Sequence, residues 1–218
     1  RLLFEESLNI CGFNNSKINL TFIDDVDAII HVYATEKSFK FQKNAKNVLF
    51  LDVGATSIKG YVVNFQSKIL NGTKLTIATR LSYVIDHKNG GSFITSSIIQ
   101  NIKDKLNIKK TTESENRRLF EASEKMKIEL SKSNSSVVIV QDINGRDFDI
   151  TLTREELESQ ILATAAQSVI DVAKEATNKI EFDDIELIGG SSRIPIFDFA
   201  LKKVFKSIQK VGHSLNPD

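Results

Sequence analysis

The sequence predicts an α/β fold on a mixed sheet, with a helix–hairpin–helix segment inserted before the last strand. Three observations carry this. Three strand-like runs follow one another closely over residues 48–85, the pattern of an antiparallel meander. A buried strand at 185–188 then leads into a helix that opens at Pro195, the strand–helix alternation of a parallel sheet. Two strands, finally, run straight into glycine turns, one at Gly54 and one at Gly189-Gly190.

Each element has a local reason. Residues 1–12 show helical spacing in Leu2, Leu3, Leu8 and Cys11 and stop at Gly12, a helix-ending residue. Residues 14–19 read as loop, 20–23 as a short strand, 24–34 as a helix and the basic stretch 37–47 as a linker. The meander takes 48–53, 57–65 and 74–85, and Asn71-Gly72 makes a hairpin turn because both residues tolerate positive φ. Gly90-Gly91 leads into a helix over about 93–106, followed by a basic connection to Thr112. A second helix, 113–130, carries Leu119, Ala122, Met126 and Leu130 along one stripe. Strands 137–142 and 146–152 form a hairpin across Asn144-Gly145. Thr153 and Glu156 form a capping box, so a long helix is expected over 154–178. Strand 185–188 and helix 195–208 complete the chain.

Composition excludes several classes. With 218 residues and 41% hydrophobic content the chain supports a real core. Lys and Arg total 29 against 28 Asp and Glu, so no global field draws it to nucleic acid or to anionic lipid. A single cysteine, Cys11, excludes an internal disulfide framework and a multi-cysteine metal site. His31, His87 and His213 lack metal-ligand spacing. No apolar run approaches the ~18 residues that a membrane helix needs. The start at Arg1, without Met or signal-peptide form, reads as the edge of a piece cut from something longer.

The glycine turns point to a ligand. Glycines at the carboxyl end of a strand let the backbone approach it, and N–H groups at the following helix start favour anions. Two such turns in one chain are read as holding one nucleotide between them. Glu124, Lys127 and Ser131, spaced i, i+3 and i+7, share a helix face that can grip a ribose and a base edge; a surface ion pair accounts for the first two equally well.

Five segments carry a family resemblance: residues 52–65, 122–131 and 153–158, Gly189-Gly190-Ser191-Ser192-Arg193-Ile194-Pro195, and Asn216-Pro217-Asp218. Together they resemble the nucleotide-binding domain of the seventy-kilodalton heat-shock chaperones. They resemble still more the large exchange-factor branch, of a hundred and ten and a hundred and seventy kilodaltons. The resemblance implies one lobe of the actin-like ATPase fold, with a ribonuclease-H-like sheet. Residues 1–46 would be a remnant of the first lobe, 47–112 with 179–218 the core of the second, and 113–178 an inserted subdomain. The family's first phosphate loop and catalytic lysine would lie upstream of Arg1.

The resemblance also implies roles. ATP or ADP with Mg2+ would be the cofactors. Asp52 would order magnesium-bound water, and Asp25 falls where the chaperones carry a catalytic glutamate. Gly54, Ala55, Thr56 and Ser57 would meet phosphate oxygens, looser than the family's three glycines. Glu124, Lys127, Ser131, Gly189, Gly190, Ser191, Arg193, Ile194 and Asp218 would hold the nucleotide. Two departures stand out. Lys59 replaces an acid close to the metal site, and there it either substitutes for cation charge or disturbs metal binding; an outward strand lysine is the plain alternative. Ile128 replaces an arginine that stacks on adenine. Asp52 also suits a solvated strand end, and Asp24, Asp25 and Asp27 suit a helix start.

The expected function is an ATP/ADP-binding part of a heat-shock chaperone-family protein acting in protein folding as a co-chaperone and nucleotide exchange factor. A hydrolysing chaperone and a degenerate scaffold are the alternatives. The implied partners are a seventy-kilodalton chaperone and, through missing domains, unfolded polypeptide. The cytoplasm is the expected compartment. The sequons at Asn14, Asn19, Asn71 and Asn134 keep the endoplasmic reticulum lumen open as the alternative.

Overall fold

The computed structural model describes residues 2–13, 21–41, 44–208 and 210–215. Helix α1, Leu2–Ile10, ends as its glycine predicts: Gly12 takes φ 79°, and the N–H groups of Gly12 and Phe13 donate back to Asn9 and Leu8. Of the strand expected over 20–23, Leu20 lies outside the described residues and 21–23 form no strand. Phe22 packs edge-on against Phe4 instead, at 5.9 Å, so its apolar surface finds a helix rather than a sheet. Helix α2, Asp25–Glu36, is capped by Asp24, whose carboxylate accepts from the Val26 N–H at 2.9 Å. The expected linker holds a 3-10 turn, Ser38–Phe41, which brings Phe41 to stack on Phe65 at 4.7 Å.

The meander is β1 (Lys46–Val53), β2 (Ile58–Leu70) and β3 (Thr73–Arg80). The third expected strand is broken in two, with β4 at Val84–Asp86. The break has a cause: the Val62 N–H donates to the Ser82 hydroxyl at 3.1 Å, so a side chain takes the ladder position of a backbone carbonyl. Both β3 and β4 pair antiparallel with β2. After α3 (Gly91–Lys105) and α4 (Glu113–Lys132), strands β5 (Ser135–Ile143) and β6 (Arg146–Thr153) form a separate two-stranded sheet. The capping box at Thr153 and Glu156 is present and starts α5, Arg154–Glu156. The helix then widens into a π turn, Leu157–Ile161, before α6, Leu162–Ala176. That extra residue in the turn lets Leu157, Ile161 and Leu162 all reach the core.

Strand β7, Asp184–Ile188, lies parallel to β1, and a 3-10 turn, Gly190–Arg193, precedes α7, Pro195–Val204. With the short strand β8, Val211–Gly212, the main sheet has six strands in the order β3-β2-β1-β7-β8, β4 pairing with β2. Alternation along β1 divides the core. Leu49, Leu51 and Val53 face α3, α6 and α7, while Val48 and Phe50 face α2 with Tyr33, Tyr61 and Phe65. Glu186 is buried on β7 and accepts from the backbone and hydroxyl of Ser214 at 3.2 and 3.0 Å. Burial, then the charges of Glu186 and Asp184, push the neighbouring Tyr33 hydroxyl far above its ordinary range.

Gly60 is where α6 meets β2: a Cβ there would fall 2.6 Å from Val172 Cγ1 and 3.2 Å from its carbonyl oxygen. Gly60→Ala should therefore destabilise the fold by about 1–3 kcal/mol, read from urea unfolding. Glu115 caps α4 and also accepts the Asn144 N–H at 2.6 Å, tying the β5–β6 turn to the helix start. That bond, then those from Thr112, hold its carboxyl below the ordinary 4.5. Its stabilising contribution is thus in place above pH 4.5 and fades as pH falls through the lowered folded value. Glu115→Gln should remove that part of the acid limb in a Tm-versus-pH series.

Candidate functional site

The parallel register sets Asp52 beside Ile188, so the two glycine turns leave the sheet side by side. Gly189 has φ 92°, and a Cβ on it would lie 2.5 Å from the Asp52 carboxylate and 2.6 Å from the Val53 carbonyl oxygen. Both its conformation and its space demand glycine. Gly190 differs: a Cβ there would meet no atom within 4 Å. Among the described residues nothing requires glycine at 190, which faces open cleft.

That cleft has a volume of about 640 Å³. One wall is the α4 face, with Phe120, Glu124, Lys127, Ile128 and Ser131; the other is the turn, with Gly190, Ser191, Arg193 and Ile194; Ala55 and Ser92 close it. A smaller cavity of about 270 Å³ continues past Gly190 and Arg193 to Gly189, Asp52 and Ile29. Gly190 and Arg193 line both.

Hydrogen bonds fix these parts to one another. Lys127 Nζ donates to the carboxylate of Glu124 at 2.6 Å, to the Thr95 hydroxyl at 2.8 Å and to the Gly91 carbonyl at 3.2 Å. Thr95 also donates to Glu124. The Gly91 N–H donates to the Gly54 carbonyl at 2.8 Å, and Ser92 N–H to Ala55 at 2.7 Å. The glycine pair is spatially required: a Cβ on Gly90 would lie 2.7 Å from the Ala55 carbonyl oxygen, and one on Gly91 would strike the Ser191 hydroxyl. Ser131 turns its hydroxyl back to the Ile128 carbonyl at 2.7 Å.

Asp25 and Lys59 form an ion pair. Lys59 stands across from Asp52 in the β1–β2 register. Burial raises the Asp52 carboxyl, and Lys59 partly offsets this. Burial alone would lower the Lys59 ammonium, but its bond to Asp25 and the charges of Asp25 and Asp52 prevail and hold it above the ordinary value. The hydrogen bond from Lys59 keeps Asp25 below its ordinary range.

The structure thus gathers Ala55, Glu124, Lys127, Ser131, Gly190, Ser191, Arg193 and Ile194 on one cleft, with Gly189 and Asp52 on its extension. It does not bring every expected residue to the main cleft wall. Gly54 turns its carbonyl inward, and Thr56 and Ser57 do not line that cleft. Asp25 meets Lys59 and lines neither cavity. Asp218 lies outside the described residues. Sequence reasoning missed Phe120 and Thr95. Phe120 had a signal, since it precedes Glu124 by four on the same helix face. Thr95 had none, because Glu124 and Lys127, the side chains it meets, come from another helix.

The family described as Hsp70 protein matches residues 6–218. Chaperone protein DnaK of Ureaplasma parvum is 26% identical over 207 residues, 90% of this chain and 33% of that protein. Chaperone protein dnaK of Cyanidium caldarium is 28% identical over 213 residues, 91% and 32% of the two lengths. A ribosome-associated molecular chaperone of Zygosaccharomyces rouxii is 36% identical over 107 residues, 47% and 17% of the two. The chain spans a third or less of the length of these relatives. Its mixed sheet and paired glycine turns are those of the actin-like ATPase fold, and the chain belongs to the Hsp70 family.

Proposed function

We propose that this chain is the adenine-nucleotide-holding half of a protein-folding factor, one that works as a co-chaperone and nucleotide exchange factor. One observation supports nucleotide binding above the rest: the α4 face and the Gly190 turn, far apart in sequence, converge on a single cleft. The apolar pair Phe120 and Ile128 suits a flat base. Lys127 and Arg193 supply positive charge at the two walls, and Ser131 and Glu124 supply polar groups for a sugar. Gly190 leaves room for the ligand to approach the backbone.

The exchange-factor reading draws on the Lys59–Asp25 pair. An acid that is to orient an attacking water needs a free lone pair in reach of that water. Asp25 spends its carboxylate on Lys59, which disfavours rapid hydrolysis. A site that binds nucleotide but turns it over slowly suits a protein whose nucleotide holds a shape. The second reading is a hydrolysing chaperone. It is favoured by the relatives, whose names are those of chaperones.

Binding is tested with the intact protein by calorimetry with ATP and ADP. Gly190→Glu should weaken binding by about 100-fold or more, since the new carboxylate enters the cleft. Its circular dichroism should not change, because the side chain meets open space. Unchanged affinity removes the site. The role is tested by release of labelled ADP from a seventy-kilodalton chaperone. The ATP-loaded protein should speed release in proportion to its concentration. At the β5–β6 turn Asp147 accepts the Asp142 N–H at 2.9 Å and is structural, whereas Arg146 and Asp149 are exposed. Arg146→Glu with Asp149→Lys should slow the assisted release and leave nucleotide affinity intact. Release at the intrinsic rate at every concentration favours the hydrolysing chaperone.

A further inference from the structure

Three charged side chains meet where β1, β2 and the start of α2 come together. Lys59 and Asp52 are directly opposed in the antiparallel register, so both leave the same face of the sheet. The Lys59 ammonium is bonded to Asp25 in the first turn of α2. Two residues along β2, on that same face, the Tyr61 ring is fully buried against Phe50, and its hydroxyl has no hydrogen-bond partner among the described residues. Burial first, then the charges of Asp52 and Asp25, hold that hydroxyl well above the ordinary tyrosine range. Polar demand beside the two carboxylates is therefore not fully met by the protein itself.

The family resemblance implies a magnesium ion near Asp52, and these residues do not fit one. Asp25 and Asp52 bring two negative charges and Lys59 one positive, a formal −1 where the resemblance implies three acids. A divalent cation drawn to the two carboxylates must either break the Lys59–Asp25 bond or sit beside an ammonium that repels it. Among the described residues, no group of three His, Cys, Asp or Glu side chains could hold a metal ion.

We infer that the Lys59 ammonium stands in for the divalent cation, so that this chain binds adenine nucleotide without a metal. The inference rests on the nucleotide reading above. Lys59 lines neither cavity, but it stands across from Asp52, which lines the smaller one. The Lys59 side chain is only 15% exposed, which preserves the strength of its charge, while Asp25 is 61% exposed. Lysine has three donors on a flexible stem, so the ammonium can meet an incoming phosphate oxygen while it keeps Asp25.

The test is calorimetry of ADP and ATP binding to the intact protein, once with excess Mg2+ and once with EDTA. The affinities should agree within about threefold. Lys59→Met should lose about tenfold or more in EDTA, Lys59→Arg should keep most of the affinity, and Lys59→Asp should make binding depend on Mg2+. Thermal melts of each variant show whether it is folded, and the comparison of Mg2+ with EDTA on the unaltered protein needs no variant. Unaltered protein that binds about tenfold or more tighter with Mg2+ overturns the inference and leaves the nucleotide reading standing. Full affinity of folded Lys59→Met in EDTA overturns it as well. No binding under either condition overturns both.

Discussion

The parallel pairing of β1 with β7 is the constraint on which the cleft depends. In an open α/β sheet a ligand finds its crevice beyond the carboxyl ends of the strands, where the chain changes direction. Here β1 has an antiparallel neighbour on one side and a parallel one on the other, and the parallel pairing ends at Asp52 and Ile188. Two turns that leave the sheet so close together cannot both carry side chains. Gly189 yields the space that the Asp52 carboxylate and the Val53 carbonyl occupy. A Cβ at that position would push the β7 turn off β1, and Gly190 would no longer face α4 across the cleft.

From this pairing a line of hydrogen bonds runs to the other wall. The Gly54 carbonyl accepts from the Gly91 N–H, and the Gly91 carbonyl accepts from Lys127 on α4. Thr95 and Glu124 complete the junction between α3 and α4. Lys127 and Glu124 are therefore structural before they are anything else. They set the distance of the α4 face from the first glycine turn, and any ligand finds them already oriented. Such pre-ordering lowers the entropy lost on binding. It also means that removing either charge disturbs the wall as well as the contact.

Much of this was legible in the sequence, for identifiable reasons. The capping box of Thr153, the glycine stop at Gly12 and the two strand-to-glycine turns are local signals, and local signals survive folding. The i, i+3, i+7 face of α4 is one of them, and the cleft uses it. What escaped depends on contacts between distant segments. The split of the third strand follows from the Ser82 hydroxyl meeting Val62, a choice that no window around Ser82 encodes. Of the strand expected at 20–23, residues 21–23 form none, and Phe22 packs on Phe4. The π turn answers to the core beneath it rather than to its own five residues. Asp25 read as a catalytic candidate because its position matched, whereas its chemistry is decided by Lys59, thirty-four positions away.

That last pair changes how the departures from the family pattern should be weighed. Taken singly, a lysine where an acid is expected and an aspartate where a longer acid is expected look like two independent losses. In the fold they are partners, with Asp25 accepting from the lysine that faces Asp52. A lone lysine in that place would be partly desolvated without a partner, which is costly. A lone Asp25 would add repulsion to Asp52. Together they leave a folded corner with a formal charge of −1, beside the Gly190 turn that faces open cleft. Decay of an unused site predicts unrelated substitutions and a cleft free to fill. The pairing of these two changes, with Gly190 still bare at the mouth of the cleft, fits the proposed altered site better than an unused one.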